Sequence, residues 1–242
     1  MSEPLNVALV AEGPTDGIII ECALRSMLQG RRFVMTQLQP EGSVAFGYSR
    51  PGWGGVYRWC KQSALRGGGR LAMDRLVLDR FDVLVIHLDA DVAAGTYADA
   101  GIVPDSKDEA LPCELPCPPV SDTTNALRDV LLTWCGERAA PPTVALCMPS
   151  KSTEAWVVAS LYETDAAVTA TTPFECSENP GARLTQQPKV QRIRKSQSDY
   201  RSQEAALQAA WSSIASADGL QEAHRFRSDF MLALQSSQDA AE

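Results

Sequence analysis

The chain is poor in the features that would give it a membrane, secretory or zinc-finger identity. Its opening residues, Met-Ser-Glu-Pro-Leu-Asn, contain no basic stretch, and the apolar run that follows is stopped by Glu12. This pattern predicts neither a signal peptide nor a membrane span. The seven cysteines are odd in number and scattered, several within apolar stretches, so they do not read as a disulfide framework. Reduced cysteines and a cytoplasmic protein are the expectation. Cys113-Glu-Leu-Pro-Cys117 has no second Cys/His pair at finger-like spacing, and the only histidines are His87 and His224. Structural zinc is therefore not expected.

Positive charge is also scarce. Twenty-two Lys and Arg face 30 Asp and Glu, a net charge of −8. That balance argues against a protein that coats nucleic acid with its whole surface, because phosphate affinity comes largely from Lys and Arg. It leaves room for a metal-dependent enzyme acting on nucleic acid, whose own site must be acidic and whose grip needs only a local basic strip. Arg183, Lys189, Arg192, Arg194 and Lys195 form such a strip; from Asn179 to Ser198 they are the only charges. A solvated surface face is the alternative reading.

What is present is an ordinary globular composition, 45% hydrophobic and 21% charged over 242 residues. That suffices for one sizeable α/β core with or without a helical appendage. Apolar runs at Leu5 to Ala11, Arg32 to Leu38, Asp82 to Leu88 and Thr143 to Met148 predict strands. Those with no clean polar alternation suit a parallel sheet covered on both faces. Helical spacing predicts helices from Asp16 to Leu28, Val56 to Leu65, Thr123 to Cys135, Ser152 to Leu161, Ser202 to Ser216 and Gly219 to Leu234, and Leu71 to Leu78 is a short amphipathic stretch before the third strand. Gly42 to Gly55 reads as a loop, and Gly95 to Pro119 as a Pro-rich and acidic excursion near the site. No internal repeat is visible.

Two acidic clusters stand where buried strands surface: Glu12-Gly-Pro-Thr-Asp16, and Asp89-Ala-Asp91. Ligands of parallel α/β sheets gather outside the carboxyl ends of the strands. Carboxylates converging there repel one another unless a cation neutralises them, and hard oxygen donors suit Mg²⁺ or Mn²⁺. Residues i and i+2 of an extended segment share a side, so Asp89 and Asp91 are expected to face one metal. Asp16 has a second reading as the capping acid of the first helix. His87, inside the strand, reads as a packed core residue.

Together the two clusters resemble the motifs of the Toprim domain, found in topoisomerases, bacterial primases and the OLD family of nucleases. The resemblance covers roughly the first 160 residues. Gly52-Trp-Gly-Gly55, Pro149-Ser-Lys-Ser-Thr-Glu154-Ala-Trp156 and the late His-Arg-Phe-Arg-Ser-Asp-Phe segment look like small, stand-alone Toprim-like proteins related to the OLD nucleases. Some of these belong to prokaryotic defence systems. The resemblance implies a Rossmann-like Toprim core at residues 1–165, with a mostly parallel sheet flanked by helices, and a polar, basic segment with terminal helices at 166–242 packed on that core. It implies that Asp89 and Asp91 hold Mg²⁺ or Mn²⁺, and that Glu12 binds metal or acts as general acid or base. Asp16 and Glu154 are candidate further ligands, and Lys151 a candidate phosphate or transition-state contact. Glu154 also fits a capping box, and Lys151 an ordinary surface lysine.

The function implied is metal-dependent hydrolysis of DNA or RNA. No Walker A pattern is present, so any ATPase is a partner protein. The partners expected are thus a nucleic-acid substrate, an ATPase or other defence-system protein, and a second copy of the chain, with no membrane. Two alternatives remain open: a non-catalytic subunit of a defence complex, and a haloacid-dehalogenase-like phosphatase using Asp89 as nucleophile and Asp91 as acid/base.

Overall fold

Apolar runs of four to seven residues become the four strands of one all-parallel sheet in the computed structural model, which describes residues 3–40, 51–163, 168 and 173–240. The strands are β1 (Leu5–Val10), β2 (Phe33–Gln39), β3 (Val83–His87) and β4 (Val144–Cys147). The longer helices are α1 (Pro14–Met27), α2 (Trp53–Arg66), α4 (Ser121–Trp134), α5 (Glu154–Leu161), α8 (Glu204–Ile214) and α9 (Gln221–Asp239). Shorter ones are α3 (Arg75–Leu78), α6 (Pro180–Gln186) and α7 (Gln197–Ser202). Of the expected Gly42–Gly55 loop, residues 42–50 lie outside the described residues, as does the expected boundary at 165/166.

Strand periodicity divides the core into two layers. Leu5, Val7, Leu9, Val83, Val85, Ala145 and Cys147 face one side, against α1, α5, α8 and α9. Ala8, Val10, Leu84, Ile86, Val144 and Leu146 face the other, against α2 and α4. Both faces are covered, which is why Val7–Val10 of β1 and Val83–Ile86 of β3 are aliphatic and buried without alternation. The terminal helices share this first layer with the strands. Trp156 of α5 lies edge-on to Trp211 of α8 at 5.1 Å and stacks near Phe226 of α9 at 6.1 Å between centroids. Truncating such a buried Trp costs about 3–5 kcal/mol, so α5 is held firmly from behind.

The helix expected from Ser202 to Ser216 is α8, and the short α7 precedes it across Gln203. Two expectations are corrected by the structure. The polar segment after Pro173 contains α6, started by Pro180 and by Asn179, whose Oδ1 accepts from Ala182 N–H at 2.9 Å. That is an ordinary capping signal hidden in unpromising composition. The cysteines are not all reduced either: Cys117 and Cys176 form a disulfide with their Cα atoms 5.5 Å apart. The pairing arises because the 95–119 excursion folds back on the body. Lys61 binds Asp105 at 2.7 Å and Asp108 at 2.8 Å, and Tyr57 Oη donates to Asp108 at 2.6 Å.

Candidate metal centre

In the sheet order β2-β1-β3-β4 the chain runs from β1 outward to β2, then returns to the opposite side of β1 for β3. The carboxyl ends of β1 and β3 therefore border the crevice where the winding direction reverses, the usual binding place of such sheets. Glu12 lies two residues beyond β1, and Asp89 two residues beyond β3. Glu12 Oε1 accepts a hydrogen bond from the Asp89 backbone N–H at 2.8 Å. The Glu12 carbonyl accepts from Gly52 N–H at 2.7 Å, which brings the start of α2 to the same crevice. Gly52 has φ +101°, a conformation that explains glycine at this position.

Asp16 satisfies both of its sequence readings. Its Oδ2 accepts from Gly13 N–H at 2.9 Å, capping α1, while Oδ1 accepts from Thr153 Oγ1 at 2.7 Å. Thr153 N–H in turn donates to Asp89 Oδ1 at 3.1 Å. One threonine at the start of α5 thus fixes two carboxylates from different loops. His87 Nε2 lies 3.1 Å from the same Asp89 Oδ1. Among the described residues, Asp16, His87 and Asp89 form a buried group that could hold a metal ion, with one donor atom of each within 4.8 Å of the others.

The electrostatics fit a site that wants a cation. Burial and then the Asp89 charge raise the Glu12 carboxyl well above the usual carboxylate range. Burial raises Asp89 to about 7 despite the opposing pull of His87. Burial alone lowers the His87 imidazole, but the Asp89 charge and hydrogen bond, with Asp16 and Glu12, outweigh it and raise the ring to about 9. A divalent ion in the crevice would reverse these tendencies by favouring ionised carboxylates and neutral imidazole.

The remaining sequence candidates occupy different places. Asp91 is exposed and is not in the three-residue group. The expectation of a shared face fails because the chain turns into a 3₁₀ helix at Ala90–Ala94 instead of remaining extended. Its charge is still felt by Lys195, Glu154, His87 and Lys151. Glu154 is buried beside the group, but its Oε1 meets Lys195 Nζ at 2.8 Å and accepts from Tyr200 Oη at 3.2 Å. Burial acts to raise the Glu154 carboxyl, yet Lys195 holds it below its ordinary value. Lys151 is buried and paired with Glu114 of the excursion, so it is no surface lysine.

Lys195 of the basic strip reaches Glu154, with 59% of its side chain exposed. Lys189, Arg192 and Arg194 are exposed on the segment between α6 and α7, and Arg183 is half-buried in α6. Thr153 and His87 are the site residues that sequence reasoning missed. The one available signal was parity: His87 and Asp89 are i and i+2 at a strand end. A cleft of about 520 Å³ lies elsewhere, between α4, α9 and the start of β4, and contains none of these residues. No protein-family model, characterised protein or solved structure matches the chain.

Proposed function

We propose that the chain is a Toprim-type, metal-dependent phosphodiesterase acting on DNA or RNA. The observation that carries this reading is the meeting of the β1 and β3 acids at the switch point, where Asp16 and Asp89 share Thr153 and Asp89 is tied to Glu12. A bound Mg²⁺ or Mn²⁺ supplies Lewis-acid stabilisation of charge developing on a phosphodiester and lowers the pKa of water. Asp16 and Asp89 would hold such an ion. Glu12, half-buried and tied to the Asp89 backbone at the mouth of the crevice, is suited to take a proton from attacking water. Lys195 is exposed toward the acids and suited to meet a phosphate oxygen, a role less open to Lys151 in its pair with Glu114. Lys189, Arg192 and Arg194 extend that cationic surface along the strand.

The phosphatase alternative draws less support. Asp89 would be its nucleophile, yet Asp89 is 6% exposed and its Oδ1 already meets Thr153 N–H and His87 Nε2. No described helix is long and apolar enough to cross a membrane. The compartment we propose is the cytoplasm, where reducing conditions would open the Cys117–Cys176 bridge.

The test is incubation of the purified chain with labelled single- and double-stranded DNA and RNA in Mg²⁺, Mn²⁺ or EDTA, beside Glu12→Gln and Asp89→Asn. Cleavage that needs the metal and both carboxylates is expected. Cleavage indifferent to both substitutions removes the site assignment, and release of phosphate from small monoesters without strand cleavage favours the phosphatase.

A further inference from the structure

Resting on the metal-centre reading above, we infer that His87 is a nitrogen ligand of that metal, and that the site therefore prefers a first-row transition-metal dication such as Mn²⁺ to Mg²⁺. Two independent observations carry this. His87 Nε2 and Asp89 Oδ1 are 3.1 Å apart, and Asp16 completes a three-donor group with them. Two cis ligands with bonds of about 2.1 Å are roughly 3 Å apart, so this pair already has the spacing of adjacent coordination positions. The second observation is that Thr153 ties Asp16 Oδ1 and Asp89 Oδ1 together from different loops, and fully buried His87 turns its Nε2 to that same pair of carboxylates.

Imidazole is a donor for transition metals, whereas Mg²⁺ takes oxygen ligands and keeps its waters. Coordination through Nε2 requires the neutral ring with its proton on Nδ1. His87 and Asp89 would then hold the ion in place of their mutual hydrogen bond, and a ring that began protonated would release one proton to solvent. The Nδ1–H so created faces no acceptor among the described residues, which is a cost. A cation that gains little from nitrogen does not recover it. Mg²⁺ is accordingly expected to use the carboxylates alone.

The experiment is electron spin-echo envelope modulation of the Mn²⁺-loaded full chain, with calorimetric titration of Mn²⁺ and Mg²⁺. Nitrogen modulation from a directly bound imidazole is expected, unchanged in His224→Gln and absent in His87→Gln. Mn²⁺ affinity is expected to exceed Mg²⁺ affinity, and to fall by more than about 10-fold in His87→Gln, since even an outer-shell partner commonly contributes about 10–100-fold. Mn²⁺ bound without nitrogen modulation overturns the inference and leaves the oxygen-ligated centre standing, with His87 only orienting Asp89. Absence of any saturable Mn²⁺ binding sensitive to Asp89→Asn overturns the inference and the metal centre together. Should His87→Gln fail to fold, the wild-type and His224→Gln spectra decide the matter.

Discussion

Glu12 and Asp89, 77 positions apart in sequence, meet through a 2.8 Å hydrogen bond from the Asp89 backbone N–H to Glu12 Oε1. The bond locks the ends of two neighbouring strands, but it also fixes a half-buried acid beside a buried one. Glutamine keeps the acceptor and removes the charge. We expect Glu12→Gln to abolish metal-dependent cleavage while raising the melting temperature in EDTA at pH 8. Each kcal/mol of relieved repulsion is worth about 2–4 °C for a chain of this size. A variant that melts lower in EDTA would show that Glu12 is held for structure.

Thr153 offers a sharper separation, because its two contacts come from different atoms. Its hydroxyl serves Asp16 at 2.7 Å and its backbone N–H serves Asp89 at 3.1 Å. Thr153→Val deletes only the first, and Thr153→Ser retains both. Losing an outer-shell partner of a ligand commonly costs about 10–100-fold in metal affinity. Calorimetry should place Thr153→Val in that range and Thr153→Ser near the parent; equal affinities in all three would remove Thr153 from the site.

Much of this arrangement was legible in the chain because the signals were local. Aliphatic runs ending in acids marked β1 and β3, and helical spacing marked α1, α2, α4 and α5. What stayed hidden depended on tertiary contact. The Thr153 bridge needs α5 to start opposite α1, which no spacing encodes. The Lys195–Glu154 pair joins two residues that look unrelated in sequence, one in a basic strip and one in a capping pattern. Asp91 was misplaced for a local reason: the turn at Ala90–Ala94 replaces the extended geometry that i, i+2 reasoning assumes.

Away from the centre, Glu175 gives the fold a pH signature. It is 2% exposed and receives the first N–H groups of α9, Gln221 to Oε2 at 2.6 Å and Glu222 to Oε1 at 2.9 Å. Burial outweighs these donors and raises its carboxyl from 4.5 to about 7. The folded chain therefore binds this proton more tightly than the unfolded one. Its stabilising contribution is complete below about pH 4.5 and is lost as pH rises through about 7. At 1.36 kcal/mol per pH unit the difference is about 3 kcal/mol. Denaturant titrations from pH 4.5 to 7.5 should show a wild-type component of unfolding free energy that declines with pH and is missing in Glu175→Gln. Parallel curves for the two proteins would refute it.

The disulfide predicts a redox dependence of stability. Cys117 and Cys176 close a loop of 59 positions, and cross-linking such a loop stabilises by about 4 kcal/mol in the chain-entropy model. The Cys117→Ser/Cys176→Ser double variant should unfold at lower denaturant by a comparable amount, and dithiothreitol should destabilise the wild type but not the variant. Because the bridge anchors the excursion that carries Glu114, reduction should also loosen the Glu114–Lys151 pair, readable as faster amide exchange around Lys151.

The basic strip can be tested by ionic strength, which separates a phosphate grip from a solvated face. Lys189, Arg192 and Arg194 are exposed, while Lys195 is engaged with Glu154. Each phosphate neutralised contributes about 0.7–0.9 to the slope of log affinity against log salt, through released counterions. In an Asp89→Asn background, expected to bind without cutting, replacing the three exposed residues by alanine should make that slope shallower by about 2–3. The loss should be similar for unrelated sequences, since phosphate contacts carry no base information. An unchanged slope would assign the strip to solvation and require the strand to be held by another surface.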